Sequence, residues 1–322
     1  MVLPEYIIGE LLIAFSLFLA FTLGWNNSGL TTGNMSNLLT YNLALVVTLA
    51  GMFVGYFVEG SKMSHSILGK LIPAQITTTD ILVGIAASLF LFLALTIIRI
   101  PVSLSNCVVG GFTGMALASG TAINGSVLIV IITSWVVAPF FCAALSVLFY
   151  EITTKVEGGM SLSLISWLNR ILLLLVVFYV AYALGANNLG LIFSFIRVGE
   201  PSIQNIGLSV LEIAVYISLA AGVLLFGKII AKVVGDKIVG LSQIKTLAAF
   251  LGCAIVTWTF TQFSVPVSLT QVVIGGMLGS GSARGPTIVN RTEVLVMIRD
   301  WTLVTILSAV MGFGLEFFVR TA

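Results

Sequence analysis

Two polar motifs, each written twice, interrupt an otherwise apolar chain of 322 residues. The first is a pair of neighbouring amides between glycines: Gly24-Trp25-Asn26-Asn27-Ser28-Gly29, and again Gly185-Ala186-Asn187-Asn188-Leu189-Gly190. An amide carries no charge but offers donors and an acceptor, so it can meet an anion through nitrogen or a cation through oxygen. The flanking glycines predict a break in the helix at each pair, exposing backbone groups. At membrane depth such backbone survives only inside protein or along a wet cavity. Hydrogen-bonded glue between helices is the other use for the same amides.

The second motif is Pro101-Val102-Ser103-Leu104-Ser105-Asn106, which returns as Pro266-Val267-Ser268-Leu269-Thr270-Gln271. Proline suits the first turn of a helix, where the leading N–H groups lack intrahelical partners. Ser103 and Ser105, or Ser268 and Thr270, then fall in or near that turn. Hydroxyls, free N–H groups and the positive end of the helix dipole together suit an anion. Gly110-Gly111 and Gly275-Gly276 follow, and allow close helix packing. An N-capped helix with a small-residue face accounts for one such set; it accounts less well for two.

The elements that must hold these motifs are membrane helices. Charged residues make up 8% of the chain and hydrophobic ones 59%, with mean hydropathy +1.17. A soluble domain carries about 25% charged residues, so this chain cannot cover a wet surface. Residues 11–58, 100–150 and 246–283 contain no Asp, Glu, Lys or Arg. One crossing needs about 20 apolar residues, and the length allows roughly ten segments. The expected fold is an all-α polytopic protein of the cell membrane, embedded in the lipid bilayer.

The net charge of +2 is membrane-flank charge and indicates no nucleic-acid partner. Cys107, Cys142 and Cys253 stand apart in apolar stretches, as small buried hydrophobes. Glu5 and Glu10 precede the first apolar run without a cationic region, so no cleaved signal peptide is expected. No duplicated His or carboxylate cluster and no nucleophile–base pair supports an enzyme, and no cofactor or metal is assigned.

The landmarks recur in one order. The Pro-Val-Ser motif returns after 165 positions, the Asn pair after 161, Gly60 as Gly227 after 167, and Trp135 as Trp301 after 166. The chain therefore reads as two homologous repeats, 1–160 and 161–322. Each holds an apolar helix (7–23; 167–184), the Asn pair, and a second helix (42–58; 206–226). A charged loop follows (60–80; 227–245), then a third helix (81–98; 246–261), the Pro-Val-Ser hairpin and a long last helix (126–150; 294–318). Lys228, Lys232, Lys237 and Lys245 against Asp236 place the second loop in the cytoplasm; the first loop, with few lysines, leaves its own orientation open.

The duplicated Gly-x-Asn-x and Pro-Val-Ser elements resemble the inorganic phosphate transporter (PiT) family, including its bacterial sulfate-permease relatives. The loop from Gly227 to Ile238 is also similar to that family's, and the likeness covers nearly the whole chain. The resemblance implies inverted-topology repeats with broken helices and re-entrant hairpins. It implies an oxyanion, phosphate or sulfate, held between the two hairpins and transported with Na⁺ or H⁺ by alternating access. Carried over by position, the substrate-binding candidates are Asn26, Asn27, Ser103, Ser105, Asn187, Asn188, Ser268, Thr270 and Gln271. Asn26, Asn27, Asn187 and Asn188 are also the candidate Na⁺ ligands. A homodimer stays open as the assembly.

Two departures bear on coupling and selectivity. The family's Gly-Ala-Asn-Asp has its carboxylate replaced by Asn27 and Asn188, and Leu104 and Leu269 stand where its first threonine belongs. An amide oxygen can ligate Na⁺ but brings no charge and cannot titrate. Phosphate remains the first expectation, sulfate the second and an anion channel the third. Glu59 and Glu212 are expected near solvated helix ends, His65 in a loop and Arg284 on a cytoplasmic flank.

Overall fold

Uncharged runs of this length must satisfy their backbone internally when water is absent, and helices do so. The computed structural model describes residues 4–32, 39–64, 67–73, 76–100, 102–199, 207–237, 241–283 and 291–321. Among these, the elements are α1 (Glu5–Thr32), α2 (Tyr41–Ser64), α3 (Ile67–Leu71), α4 (Thr78–Ile97), α5 (Leu104–Ser119) and α6 (Gly125–Glu157). Then come α7 (Leu162–Leu184), a π-helical turn (Gly185–Leu189), α8 (Gly190–Val198), α9 (Leu208–Lys237), α10 (Gln243–Gln262), α11 (Leu269–Ser282) and α12 (Arg291–Thr321). Eight stretches among the described residues are long and apolar enough to cross a membrane. The shorter α5 is a further apolar helix, and about ten segments were expected from length. His65, Pro101 and Arg284 lie outside the described residues, as do the side chains of Lys232, Asp236 and Lys237.

The expected helix break at Asn26-Asn27 does not occur. Helix α1 runs unbroken through the pair, and at Asn187-Asn188 the helix only widens into the π turn before continuing as α8. The glycines have a different use. A Cβ at Gly24 would run into the Leu219 carbonyl of α9, and one at Gly185 into the Met52 carbonyl of α2. Gly222 and Gly55 answer from the other side, against Phe21 and Tyr182. Glycine here thins two helix pairs, α1 with α9 and α2 with α7, so that backbones touch. Close van der Waals approach is what holds helices together in lipid, where no hydrophobic drive separates them from solvent.

The same device fixes the hairpin arms. Gly110 and Gly114 press on the Thr305 and Ala309 carbonyls of α12, and Gly275 and Gly279 on Pro139 and Ala143 of α6. Helices α4 and α5 pack as one hairpin, α10 and α11 as another. Helix α5 is thus gripped by the last helix of the chain, and α11 by the helix that follows α5.

Helices α2 and α9 outrun their apolar windows, so the beginnings of the expected charged loops at 60–80 and 227–245 are helical. In α2 the reason is local. Lys62 pairs with Glu59 one turn earlier at 2.7 Å, and both also meet Gln262 at the end of α10. Glu59 is therefore tied into the bundle rather than left as a simple solvated end.

Candidate functional site

The two hairpins turn by the same backbone chemistry. Helix α4 ends with Arg99 in the left-handed region (φ 63°), its N–H bonded to the Thr96 carbonyl at 2.9 Å. The Ile100 N–H then reaches the Leu95 carbonyl at 3.0 Å. Helix α10 ends identically, with Ser264 at φ 57° bonded to Thr261 at 3.0 Å, and Val265 to Phe260 at 2.9 Å. This is the paired 5→2 and 6→1 closure usually built on glycine. Neither hairpin has glycine there, so each residue holds a strained conformation.

After the turn, a serine starts the next helix. Ser103 Oγ accepts from the Asn106 N–H at 3.3 Å, and Ser268 Oγ accepts from the Gln271 N–H at 3.3 Å. Each caps one of the orphan N–H groups of its helix.

Asn26 and Asn187 clamp these turns from outside. Asn26 Nδ2 donates to Thr96 Oγ1 at 3.0 Å and to the Ile100 carbonyl at 3.1 Å, while its Oδ1 accepts from the Val102 N–H at 3.2 Å. Asn187 Nδ2 donates to Thr261 Oγ1 at 3.0 Å and to the Val265 carbonyl at 3.1 Å, and its Oδ1 accepts from the Val267 N–H at 3.3 Å. Both amides are therefore engaged at both ends by the backbone they support. An uncharged, two-ended group is what this needs, because a carboxylate could not donate.

The hairpin ends meet. Thr270 Oγ1 donates to the Val102 carbonyl at 3.4 Å, bringing the starts of α5 and α11 together. The first turns of α5 and α11 thus meet, and Ser103, Ser105, Ser268, Thr270 and Gln271 lie in or next to them. All nine candidate residues are buried.

The two ends differ in what they leave uncommitted. Ser103 Oγ donates to Asn106 Oδ1 at 2.8 Å and lies 2.9 Å from Ser105 Oγ, while Asn106 Nδ2 donates to the Trp301 carbonyl at 3.2 Å. The first end is closed on itself. Among the described residues, Ser268 Oγ makes only its capping bond and Gln271 Oε1 is buried with no partner. Asn27 Oδ1 and Asn188 Nδ2 are likewise buried without partners. An amide can turn to offer either atom, so these three supply hydrogen-bonding capacity that the protein does not use.

Trp135 Nε1 donates to the Pro266 carbonyl at 3.1 Å and anchors the second end to α6. A cavity of about 210 Å³ at the second turn is lined by Lys70, Ser126, Phe263, Ser264 and Pro266 among others. Thr96, Thr261, Arg99, Ser264 and the anchoring role of Trp135 were not foreseen from sequence. The two threonines stand 165 positions apart, the spacing of the Pro-Val-Ser motifs, and that spacing could have found them.

The sequence model of the phosphate transporter family matches residues 30–167 and again residues 162–312. Sulfate permease CysP of Bacillus subtilis is 28% identical over 309 residues, covering 92% of this chain and 84% of that protein. A protein of Methanocaldococcus jannaschii named as a phosphate permease is 24% identical, covering 94% and 95%. The fold matches a solved structure described as the sodium-dependent phosphate transporter, with TM-score 0.82 and 19% identity over 98% of this chain and 99% of that one.

Proposed function

Because the chain belongs to the phosphate transporter family, we propose that it is a secondary transporter carrying inorganic phosphate across the cell membrane. The anion sits between the hairpin ends, against Ser268, Thr270 and Gln271 on one side and Ser103 and Ser105 on the other. Asn27 and Asn188 face it with their spare amide groups, while Asn26 and Asn187 keep the hairpins in shape. The observation that carries the reading is the contact of Thr270 with Val102, which brings two helix N-termini to one buried place. Positive dipole ends, capping hydroxyls and unused amides together suit a tetrahedral oxyanion.

Residues 1–160 and 161–322 act as two repeats of inverted topology. The matching clamps of Asn26 and Asn187 support this, as do the matching turns at Arg99 and Ser264. Since every candidate residue is buried, the anion can enter only if the hairpin ends part, which supports alternating access. Coupling to Na⁺ or H⁺ follows the family, and one solved neighbour is described as sodium-dependent. The amides at Asn27 and Asn188 make that coupling weaker at these positions than a carboxylate would, because they bring no charge.

Sulfate is the second reading. The relative named as a sulfate permease favours it, and so does the absence of site carboxylates, since sulfate at neutral pH needs only donors. Uptake of labelled phosphate into proteoliposomes, in competition with sulfate and with Na⁺ and pH gradients applied separately, decides among these. Phosphate accumulation that sulfate inhibits only in large excess is expected. Uptake of neither anion, or single-channel conductance in place of saturable exchange, would overturn the carrier reading.

A further inference from the structure

At the ends of α4 and α12 far from the hairpin tips, three charged side chains are drawn into one cluster. Asp80 opens α4 and closes a capping box: its Oδ2 accepts from the Thr77 N–H at 2.8 Å, and Thr77 Oγ1 accepts from the Asp80 N–H at 3.1 Å. Arg320, one turn beyond Glu316 on α12, donates through Nη2 to Asp80 Oδ1 at 3.1 Å and through Nε to Glu316 Oε1 at 2.6 Å. The side chains of Asp80 and Glu316 are 7% and 2% exposed, whereas that of Arg320 is 47% exposed and opens the cluster to water.

Three of the four carboxylate oxygens are thereby satisfied. The fourth, Glu316 Oε2, is buried and has no partner among the described residues. With both acids ionised the cluster holds two negative charges against one positive, and leaves a charged oxygen unsolvated. Each of these is costly in an apolar setting. One proton removes both faults. It makes Glu316 neutral and turns Oε2 into a donor toward the neighbouring Asp80 carboxylate. We propose that Asp80 and Glu316 form a proton-binding site, with the proton bonded to Glu316 Oε2 and hydrogen-bonded to Asp80.

Few other charges act on this site. Helix α4 carries none besides Asp80, and α5, which packs on both α4 and α12, carries none. Helix α1, packed on α4, brings Glu5 and Glu10, both exposed. On α12 the next charged residue toward the N-terminus is Asp300, about 24 Å away at 1.5 Å per residue. On the repeat reading, the counterparts of Asp80 and Glu316 are Lys245 and Tyr150. There Lys245 donates to the Gly281 carbonyl at 3.0 Å and lies 5.7 Å from the centre of the Tyr150 ring. Among the described residues, that side has a lysine bonded to a backbone carbonyl where the first has the acid pair.

The consequence for transport is mechanical. Helix α12 packs on both arms of the first hairpin, and the cluster adds a charged link between its end and the start of α4. A protonated Glu316 tightens that tie, while an ionised one repels Asp80 and loosens it. The proton therefore substitutes for the titratable groups missing at Asn27 and Asn188. This coupling role rests on the transport reading above; the proton site itself does not.

Infrared difference spectroscopy of the purified protein in lipid tests the site directly. The wild type should show a protonated-carboxyl band that rises and falls with pH and is missing from Glu316→Gln. Asp80→Asn should keep the band but lower the pH at which it appears, because the repelling charge is gone. If Glu316→Gln does not fold, Glu316→Asp serves instead, and should shift the titration. No band in the wild type, or an unaltered band in the Glu316 variants, overturns the proposal. In proteoliposomes, acid-stimulated phosphate uptake should lose its pH dependence in Glu316→Gln, and retained dependence overturns the coupling role. A protein that shows the titrating band yet moves no oxyanion contradicts the transport reading alone.

Discussion

The Thr270 hydroxyl donates to the carbonyl of Val102 at 3.4 Å across 168 residues of chain. Val102 is itself held by Asn26, and the residue after Pro266 by Asn187, so the contact joins two supported turns rather than two free loops. In the alternating-access proposal the hairpins move as units, with α5 and α11 carrying their N-termini toward or away from each other. Each prediction below disturbs one part of this arrangement.

The clamps come first. Asn26→Ala and Asn187→Ala should both lower the thermal stability of the detergent-solubilised protein, and by similar amounts, because each removes the same three hydrogen bonds to its turn, Asn187 losing also a weak one to the Met63 sulfur. A buried backbone group left without a partner costs about 1–3 kcal/mol. Melting curves identical to wild type would show that these amides do not hold the turns.

Restoring the family's acid tests the neighbouring position. In the proposed site, Asn27→Asp or Asn188→Asp places a carboxylate beside the bound dianion, which repels it unless a cation arrives as well. Both variants should show stronger stimulation of uptake by Na⁺ or by low pH than the parent. Sulfate should suffer more than phosphate, which can offer a proton to the new acceptor. Unaltered cation dependence and selectivity in both would remove Asn27 and Asn188 from the site.

The glycine contacts are a third target. Gly114→Val and Gly279→Val drive a branched side chain into the Ala309 and Ala143 carbonyls, where the obstacle is backbone and cannot turn aside. The hairpin arms must then lift off α12 and α6. Both variants should give low yields of monodisperse protein by size-exclusion chromatography. Wild-type yields and stability would mean that the arms are not held by these contacts.

The contrast between what could and could not be read from sequence follows from the kind of interaction. Composition was enough for the membrane helices, because a bilayer tests hydrophobicity along the chain. The repeated Asn pairs and Pro-Val-Ser motifs drew attention, through their identity and spacing, to residues that are buried at the hairpin turns and helix starts. The misreading at Asn26-Asn27 came from treating Gly24 and Gly29 as helix breakers, when their role is set by Leu219 and Ile230 more than 190 positions away. Single-chain patterns carry no trace of such partners. The turns at Arg99 and Ser264 were hidden for a related reason: residues without glycine's freedom take positive φ only because the Asn clamps and the threonines over-determine them. The acid pair of Asp80 and Glu316 joins opposite ends of the sequence and has no motif at all.

The most direct measurement for an anion held between the hairpin ends is the half-saturation of labelled phosphate uptake into proteoliposomes, for wild type, Ser268→Ala and Ser103→Ala. Ser268 has a hydroxyl proton committed to no group among the described residues, whereas Ser103 donates to Asn106. A hydrogen bond to a charged group is worth about 1.5–3 kcal/mol, or roughly tenfold and upward in affinity. Ser268→Ala should raise the half-saturation concentration by at least about tenfold with insertion unchanged, and Ser103→Ala should raise it less. A well-inserted Ser268→Ala protein with the wild-type half-saturation would contradict the account.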